Sequence, residues 1–155
     1  MNINFELNGE PVTIDAQPNM TLLDLLREEL GVKSHKKGCE QGECGACTLL
    51  IDGAPNTSCL VLAPQVEGKH ITTLEGLEHN SLMIDLRESF IENGAVQCGF
   101  CTPGMLISAY ALLRDNPHPS EMEVKRGIEG NMCRCTGYTK IIEAILDAAE
   151  RIAPE

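Results

Sequence analysis

Ile3, Phe5 and Leu7 alternate with polar residues, the period-two pattern of a half-buried strand. Asn8-Gly9 is a tight-turn pair, and Val12 with Ile14 resumes the alternation, so the first fifteen residues predict a β-hairpin. Thr21 is placed to cap a helix carrying Leu22, Leu23, Leu26 and Leu30, with Gly31 at its end. A glycine-rich stretch follows. Thr48 to Ile51 reads as a strand, Asp52-Gly53 as a turn, Thr57 to Leu62 as another strand, and Ile71 as the start of a last short one. Strands around one helix in about 75 residues suit a small sheet that grasps the helix.

After Ser81 the period changes. Met83, Leu86, Phe90 and Ile91 predict an amphipathic helix. Thr102-Pro103 predicts a helix start with Thr102 as N-cap, and Met105, Leu106, Ala109, Leu112 and Leu113 form its apolar stripe. Ser120 and Glu123 form a capping box before Val124 and Ile128, and Ile141, Ile145, Ala149 and Ile152 mark a final helix. Four short helices with short connections predict a bundle. The polar stretch from Gly76 to Ser81 divides the chain into residues 1–76 and 77–155, an α+β class with an N-terminal sheet and a C-terminal four-helix bundle.

Each half is small, and aromatic residues make up 3% of the 155, with no Trp. Units of that size need a staple, whether disulfide or metal. Eight cysteines supply the material. The N-terminus shows no basic and apolar signal pattern, and no apolar run is long enough for a bilayer, so a cytoplasmic setting with reduced thiols is expected. A net charge of −11 argues against nucleic acid and anionic lipid as partners.

The cysteines fall into two sets of four. Cys39, Cys44 and Cys47 are spaced C-x4-C-x2-C, and Cys59 follows after eleven intervening residues. That is how plant-type ferredoxins hold a [2Fe–2S] cluster. The loop must curl round its centre, and Gly38, Gly42 and Gly45 are expected to supply positive φ. A four-sulfur zinc site is the alternative, although zinc knuckles use two tight CxxC pairs. Cys98, Cys101, Cys133 and Cys135 form the second set, with spacings C-x2-C and C-x-C. Spacing alone leaves an iron–sulfur cluster and zinc equally open here, and Cys98–Cys101 alone could be a redox dithiol. Each pair precedes a helix, whose N-terminus favours thiolate.

The runs GCEQGECGACTLLIDG (residues 38–53), SCLVLA (58–63), GAVQCGFCTPGM (94–105) and GNMCRCTGYTKI (130–141) resemble the iron–sulfur subunit of the molybdenum hydroxylases, the xanthine dehydrogenase, aldehyde oxidoreductase and carbon monoxide dehydrogenase type. The resemblance covers nearly the whole chain. It implies a plant-ferredoxin-like β-grasp domain followed by a helical domain, each with a [2Fe–2S] cluster. It implies a non-catalytic, electron-transfer subunit of an oxidoreductase complex. Electrons would run from a molybdenum–pterin cofactor through the second set, then the first, to FAD or another acceptor. By match to the family, Gln97 and Cys135 would approach the pterin. The partners implied are a large molybdenum subunit and a medium FAD subunit, in a hetero-oligomer such as a dimer of heterotrimers. The substrate implied is a purine or other N-heterocycle.

Other polar residues are read plainly. His35, His70, His79 and His118 lack ligand spacing and are not taken as ligands. Glu40 and Glu43 read as a solvated acidic loop, Tyr138 as packing for the last helix, and Met105 as core or interface. Arg134 is read equally as a charge partner for a cluster or as a surface residue.

Overall fold

A computed structural model describes residues 1–152; residues 153–155, which the sequence assigns to the helical half, lie outside the described residues. Strand β1 (Asn2–Leu7) and strand β2 (Glu10–Asp15) pair antiparallel, from Asn2 opposite Asp15 to Leu7 opposite Glu10. Asn8 and Gly9 both take positive φ, 52° and 85°, which matches the turn twist to that of the strands. Ile3 and Phe5 point inward, as their alternation predicts.

Helix α1 (Leu22–Asp24) starts at Thr21, whose hydroxyl accepts a hydrogen bond from the Asp24 amide at 3.1 Å. It runs directly into a π-helical turn, Leu25–Glu29, in which the Leu30 amide reaches back to the Leu25 carbonyl. The wider turn shifts the apolar face by one residue. Leu25 is therefore wholly buried with Leu22, Leu23 and Leu26, while Leu30, placed on the stripe by the sequence, is only half-buried.

Strand β3 (Thr48–Ile51) pairs antiparallel with strand β4 (Ala54–Thr57) and with strand β5 (His70–Thr72). The latter also lies parallel to the first strand, so the sheet order is β2-β1-β5-β3-β4. The predicted strand from Thr57 to Leu62 does not form. The strand stops at Thr57 and the chain tightens into a 3₁₀ turn, Ser58–Leu60. Ser58 donates its hydroxyl to the Cys47 carbonyl at 2.8 Å, which folds Cys59 back toward the cysteine loop.

The second half holds helices α2 (Ser81–Glu92), α3 (Thr102–Asp115), α4 (Glu121–Gly127) and α5 (Thr139–Ile152). Both halves of the Ser120/Glu123 capping box are present. α2 packs against α3 and α5, and α4 packs against the same two. Met83, Leu86, Phe90, Met105, Ile141 and Ile145 fill the core between them. Ile91, counted in the stripe of α2, is 72% exposed. The start of α3 also moves by one residue: Cys101 occupies the N-cap position, without a side-chain cap bond, and Thr102 is already helical.

The two halves share a wall. α3 is buried on nearly every side from Gly104 to Leu113, not along one stripe, because its other face lies on β3 and β4. Leu50 of β3 belongs to the helical core. Arg114, near the end of α3, donates to the Gly53 carbonyl at 2.8 Å. No helix among the described residues is long and apolar enough to cross a membrane.

His35 is the one buried side chain, among the described residues, with polar atoms lacking any partner: both ring nitrogens are unpaired. Burial pushes its pKa down to about 4, against the pull of Glu75 and with the help of Arg27 and Lys36. The unfolded chain therefore binds a proton between pH 6.5 and 4 that the folded chain refuses. The contribution of neutral His35 to stability is complete above pH 6.5, falls as pH drops through that window, and changes no further below it. The expected loss is about 3 kcal/mol at most. In His35→Leu the drop in melting temperature between pH 7 and pH 4.5 is expected to be smaller than in the unaltered chain; equal drops would show that His35 does not carry the effect.

Candidate metal centres

Cys39, Cys44 and Cys47 of the first set lie on the loop between the π turn and β3, and Cys59 lies in the 3₁₀ turn after β4. Cys39 Sγ accepts from the amides of Glu43 and Cys44 at 3.3 Å and of Gln41 at 3.4 Å. Cys44 Sγ accepts from the amides of Cys39 at 3.4 Å and Ala46 at 3.5 Å. For the loop to aim five N–H groups inward, some residues must turn left-handed. Gly42 (φ 77°) and Gly45 (φ 72°) do so as expected, but the third is Glu40 (φ 56°) and not Gly38. Gly38 is needed for space: a Cβ there would sit 2.7 Å from Cys44 Sγ. The amides, that of Cys44 first, then Gln41 and Glu43, lower the pKa of Cys39 to about 6. Such a sulfur is stabilised as thiolate, the form that binds metal.

Cys47 and Cys59 form the inner side of this site, 3% and 8% exposed. Burial, and then the neighbouring Cys47 thiol, pushes the Cys59 thiol up to about 11. Without metal the Cys59 thiol therefore keeps its proton. A bound cation reverses that balance, because a coordinating thiol is deprotonated outright.

The second set joins two junctions. Cys98 and Cys101 flank Gly99 (φ 83°) and Phe100 just before α3, and Cys133 and Cys135 lie before α5. Burial, then Cys133, raises the Cys101 thiol to about 12. For Cys133, burial also opposes ionisation, but the Thr136 hydroxyl (3.1 Å) and amide (3.4 Å) outweigh it and the pKa is lowered. The Cys133 amide donates to the Tyr138 hydroxyl at 3.0 Å. Tyr138, itself at positive φ (71°), thus orders the cysteine segment in addition to packing on the helical core. Cys98 and Cys135 are exposed, each beside the other, and the contact with Cys98 raises the Cys135 thiol. Gln97 is exposed next to Cys98. A cavity of about 370 Å³ opens here, walled by Phe100, Met132, Arg134 and Tyr138 as well as by Cys98, Cys101 and Cys133.

All eight cysteines are free. Within the first set Cys39 lies against Cys44, and Cys47 and Cys59 share one buried cluster; within the second, Cys98, Cys101 and Cys133 line one cavity, with Cys135 beside Cys98. Among the described residues no three His, Cys, Asp or Glu side chains converge as the ligands of one ion would. Two sulfide-bridged irons ask for four thiolates, and four cysteines at each site, with N–H groups aimed at Cys39, Cys44 and Cys133, fit that demand.

Sequence reading missed what joins the two sites. Asn131 is buried, donates from Nδ2 to the Gly45 carbonyl at 3.2 Å and accepts from the Ser108 hydroxyl at 2.6 Å. The Met132 amide donates to the Cys44 carbonyl at 2.9 Å. Gly45 and Gly104 lie in backbone contact at the same spot. The clue was available only as glycines flanking both cysteine segments, with nothing to say that they touch.

Known proteins bear on these sites. Residues 5–77 match a family described as a 2Fe-2S iron-sulfur cluster binding domain, and residues 73–146 match one described as a [2Fe-2S] binding domain. The nicotinate dehydrogenase small FeS subunit of Eubacterium barkeri is 50% identical over 153 residues, 99% of this chain and 98% of that protein. The structure of quinoline 2-oxidoreductase from Pseudomonas putida 86 includes a chain 51% identical, with TM-score 0.91, over 97% of this chain and 94% of that one. In the aldehyde oxidoreductase from Desulfovibrio desulfuricans ATCC 27774, 39% identical with TM-score 0.89, 97% of this chain aligns with 17% of that one.

Proposed function

The chain belongs to the small iron–sulfur subunits of the molybdenum hydroxylase family, an oxidoreductase family in which this subunit transfers electrons and does no bond-making chemistry, and on that premise we propose how its residues divide the work. When bound, the two [2Fe–2S] clusters take up and release single electrons. Cys39, Cys44, Cys47 and Cys59 hold one centre, and Cys98, Cys101, Cys133 and Cys135 hold the other. The observation that carries this is that four free cysteines gather at each site: Cys44 donates its amide to Cys39 Sγ, Cys47 and Cys59 share one buried cluster, and Cys98, Cys101 and Cys133 line one cavity with Cys135 beside Cys98. The amides around Cys39 and Cys44, with Thr136 at Cys133, stabilise negative charge on sulfur and so favour the ligating state.

Residues 1–76 form the ferredoxin-like β-grasp domain, and residues 77–155 the helical one, whose α2 to α5 we read as a four-helix bundle. Cys135 and Gln97, exposed on the outer side of the second site, face a molybdenum–pterin cofactor held by a larger subunit. The first site faces a medium FAD-carrying subunit or another acceptor, within a hetero-oligomer such as a dimer of heterotrimers. The complex hydroxylates an N-heterocycle, the class that includes purines. The two comparison proteins at 50% and 51% identity are named for nicotinate and quinoline, both N-heterocycles, and the one named for aldehydes stands at 39%. Isolated under native conditions, the chain is expected to elute with a larger molybdenum-bearing chain, and an N-heterocycle, not an aldehyde, is expected to bleach its visible absorption. Elution of an iron-loaded chain by itself would contradict the assembly, and bleaching by aldehydes alone would contradict the substrate class.

A further inference from the structure

Three hydrogen bonds close a ring at one thiol of the second site. The Cys133 amide donates to the Tyr138 hydroxyl at 3.0 Å. The Tyr138 amide donates to Thr136 Oγ1 at 3.1 Å. The Thr136 hydroxyl lies 3.1 Å from Cys133 Sγ, and the Thr136 amide donates to the same sulfur at 3.4 Å. A metal-bound sulfur has lost its proton and can only accept, so in the loaded site the hydroxyl is the donor. The Tyr138 amide takes up a lone pair of the Thr136 oxygen and leaves its proton to point at sulfur.

The turn that makes this ring is not adopted freely. Gly137 (φ 66°) and Tyr138 (φ 71°) are both left-handed. For a bulky residue such as Tyr that conformation is disfavoured and persists only where the surroundings enforce it. The ring of bonds and the packing of Tyr138 on the helical core do so here. Apart from the thiols themselves, the Thr136 hydroxyl is the one side-chain donor to a cysteine sulfur among the described residues. The five donors at Cys39 and Cys44 are backbone amides.

A hydrogen bond to sulfur strengthens as the sulfur gains negative charge, and an added electron raises that charge. A donor at this place therefore favours the reduced form and raises the potential. We propose that Thr136 sets the reduction potential of the second site, through its hydroxyl on Cys133 Sγ, held in direction by the Tyr138 amide. This rests on the reading of that site as a [2Fe–2S] centre. The step is the uptake of one electron by the oxidised centre; Thr136 keeps its proton and no bond forms or breaks.

The test is an anaerobic redox titration of the iron-loaded complex, read by paramagnetic resonance, in which the second centre's signal is the one that Cys98→Ala removes. Thr136→Val takes away the hydroxyl but keeps the branched shape and the amide. It is expected to lower the second centre's reduction constant about tenfold, about 59 mV downward for one electron, with the first centre's potential unchanged. Thr136→Ser, which keeps the hydroxyl, is expected to stay near the unaltered value. An unchanged second potential in Thr136→Val, with both signals present, overturns the proposal, and so does a shift in Thr136→Ser as large as that in Thr136→Val. If Thr136→Val does not load the second site, Thr136→Ala, which cannot crowd it, carries the same expectation. Failure of both to load, with Thr136→Ser loaded, shows that Thr136 serves ligation and not potential, and also overturns the proposal. Fewer than two signals in the unaltered complex, with a matching shortfall of iron, is instead the failure of the two-centre reading.

Discussion

Cys98→Ala is expected to lose about two of the chain's four irons and one of its two resonance signals, leaving the other centre as it was. Cys98 is exposed, so its removal opens no cavity in the core. What it takes away is the partner of Cys135, and one iron is left short of a thiolate. The first site is assembled from other elements, the loop before β3 and the 3₁₀ turn after β4, and keeps all its donors. Because ligation is coupled to folding in small metal-stapled units, the helical half is also expected to lose amide-exchange protection near residues 130–138. Cys39→Ala is the reciprocal case and is expected to spare the second centre. Iron analysis with resonance spectroscopy of both variants checks the pair. Loss of both centres from either substitution would show that the sites are not independent.

Gly45→Ala is expected to lower the melting temperature of the iron-loaded chain by about 5–15 °C at matched scan rate, the equivalent of about 2–5 kcal/mol. Two costs combine. The residue holds φ 72°, which an L side chain adopts at a penalty. A Cβ there would also drive into the Gly130 carbonyl and come within 2.8 Å of Asn131 Nδ2. Neither neighbour yields easily, since one is backbone and the other is fixed by Ser108. The damage falls where the two halves meet, so faster exchange of the Met132 amide should accompany it. Gly99→Ala is the control: it also has positive φ, 83°, but nothing lies within 4 Å of its Cβ. A Gly45→Ala midpoint no lower than that of Gly99→Ala would mean that close approach of the halves costs nothing.

Local signals in the sequence were sufficient where the structure is local. The Asn8-Gly9 hairpin turn, the Thr21 cap and the Ser120/Glu123 capping box all depend on residues within a few positions of one another, and all form. The strand predicted from Thr57 to Leu62 fails because of a distant demand. Its β-favouring residues lose to Ser58, which bonds the Cys47 carbonyl and bends the chain so that Cys59 turns back. Burial of α3 on all sides was illegible for a similar reason. Its sequence shows one apolar stripe, and only the sheet, the Gly45 loop and Asn131 packed on its other side explain why Gly104 and Ser108 are buried too. The candidate sites were legible as cysteine spacing, whereas their setting was not. Glu40 takes the left-handed turn expected of Gly38, and Tyr138 bonds a cysteine amide as well as packing on the helical core. Asn131 had no local pattern to mark it, because its partners lie 86 and 23 positions away.

The most direct measurement is metal and sulfide analysis of anaerobically isolated chain, combined with paramagnetic resonance after reduction. About four irons and four acid-labile sulfides per chain, with two separate binuclear signals, are expected. About two zincs and no signal would contradict the account at its root.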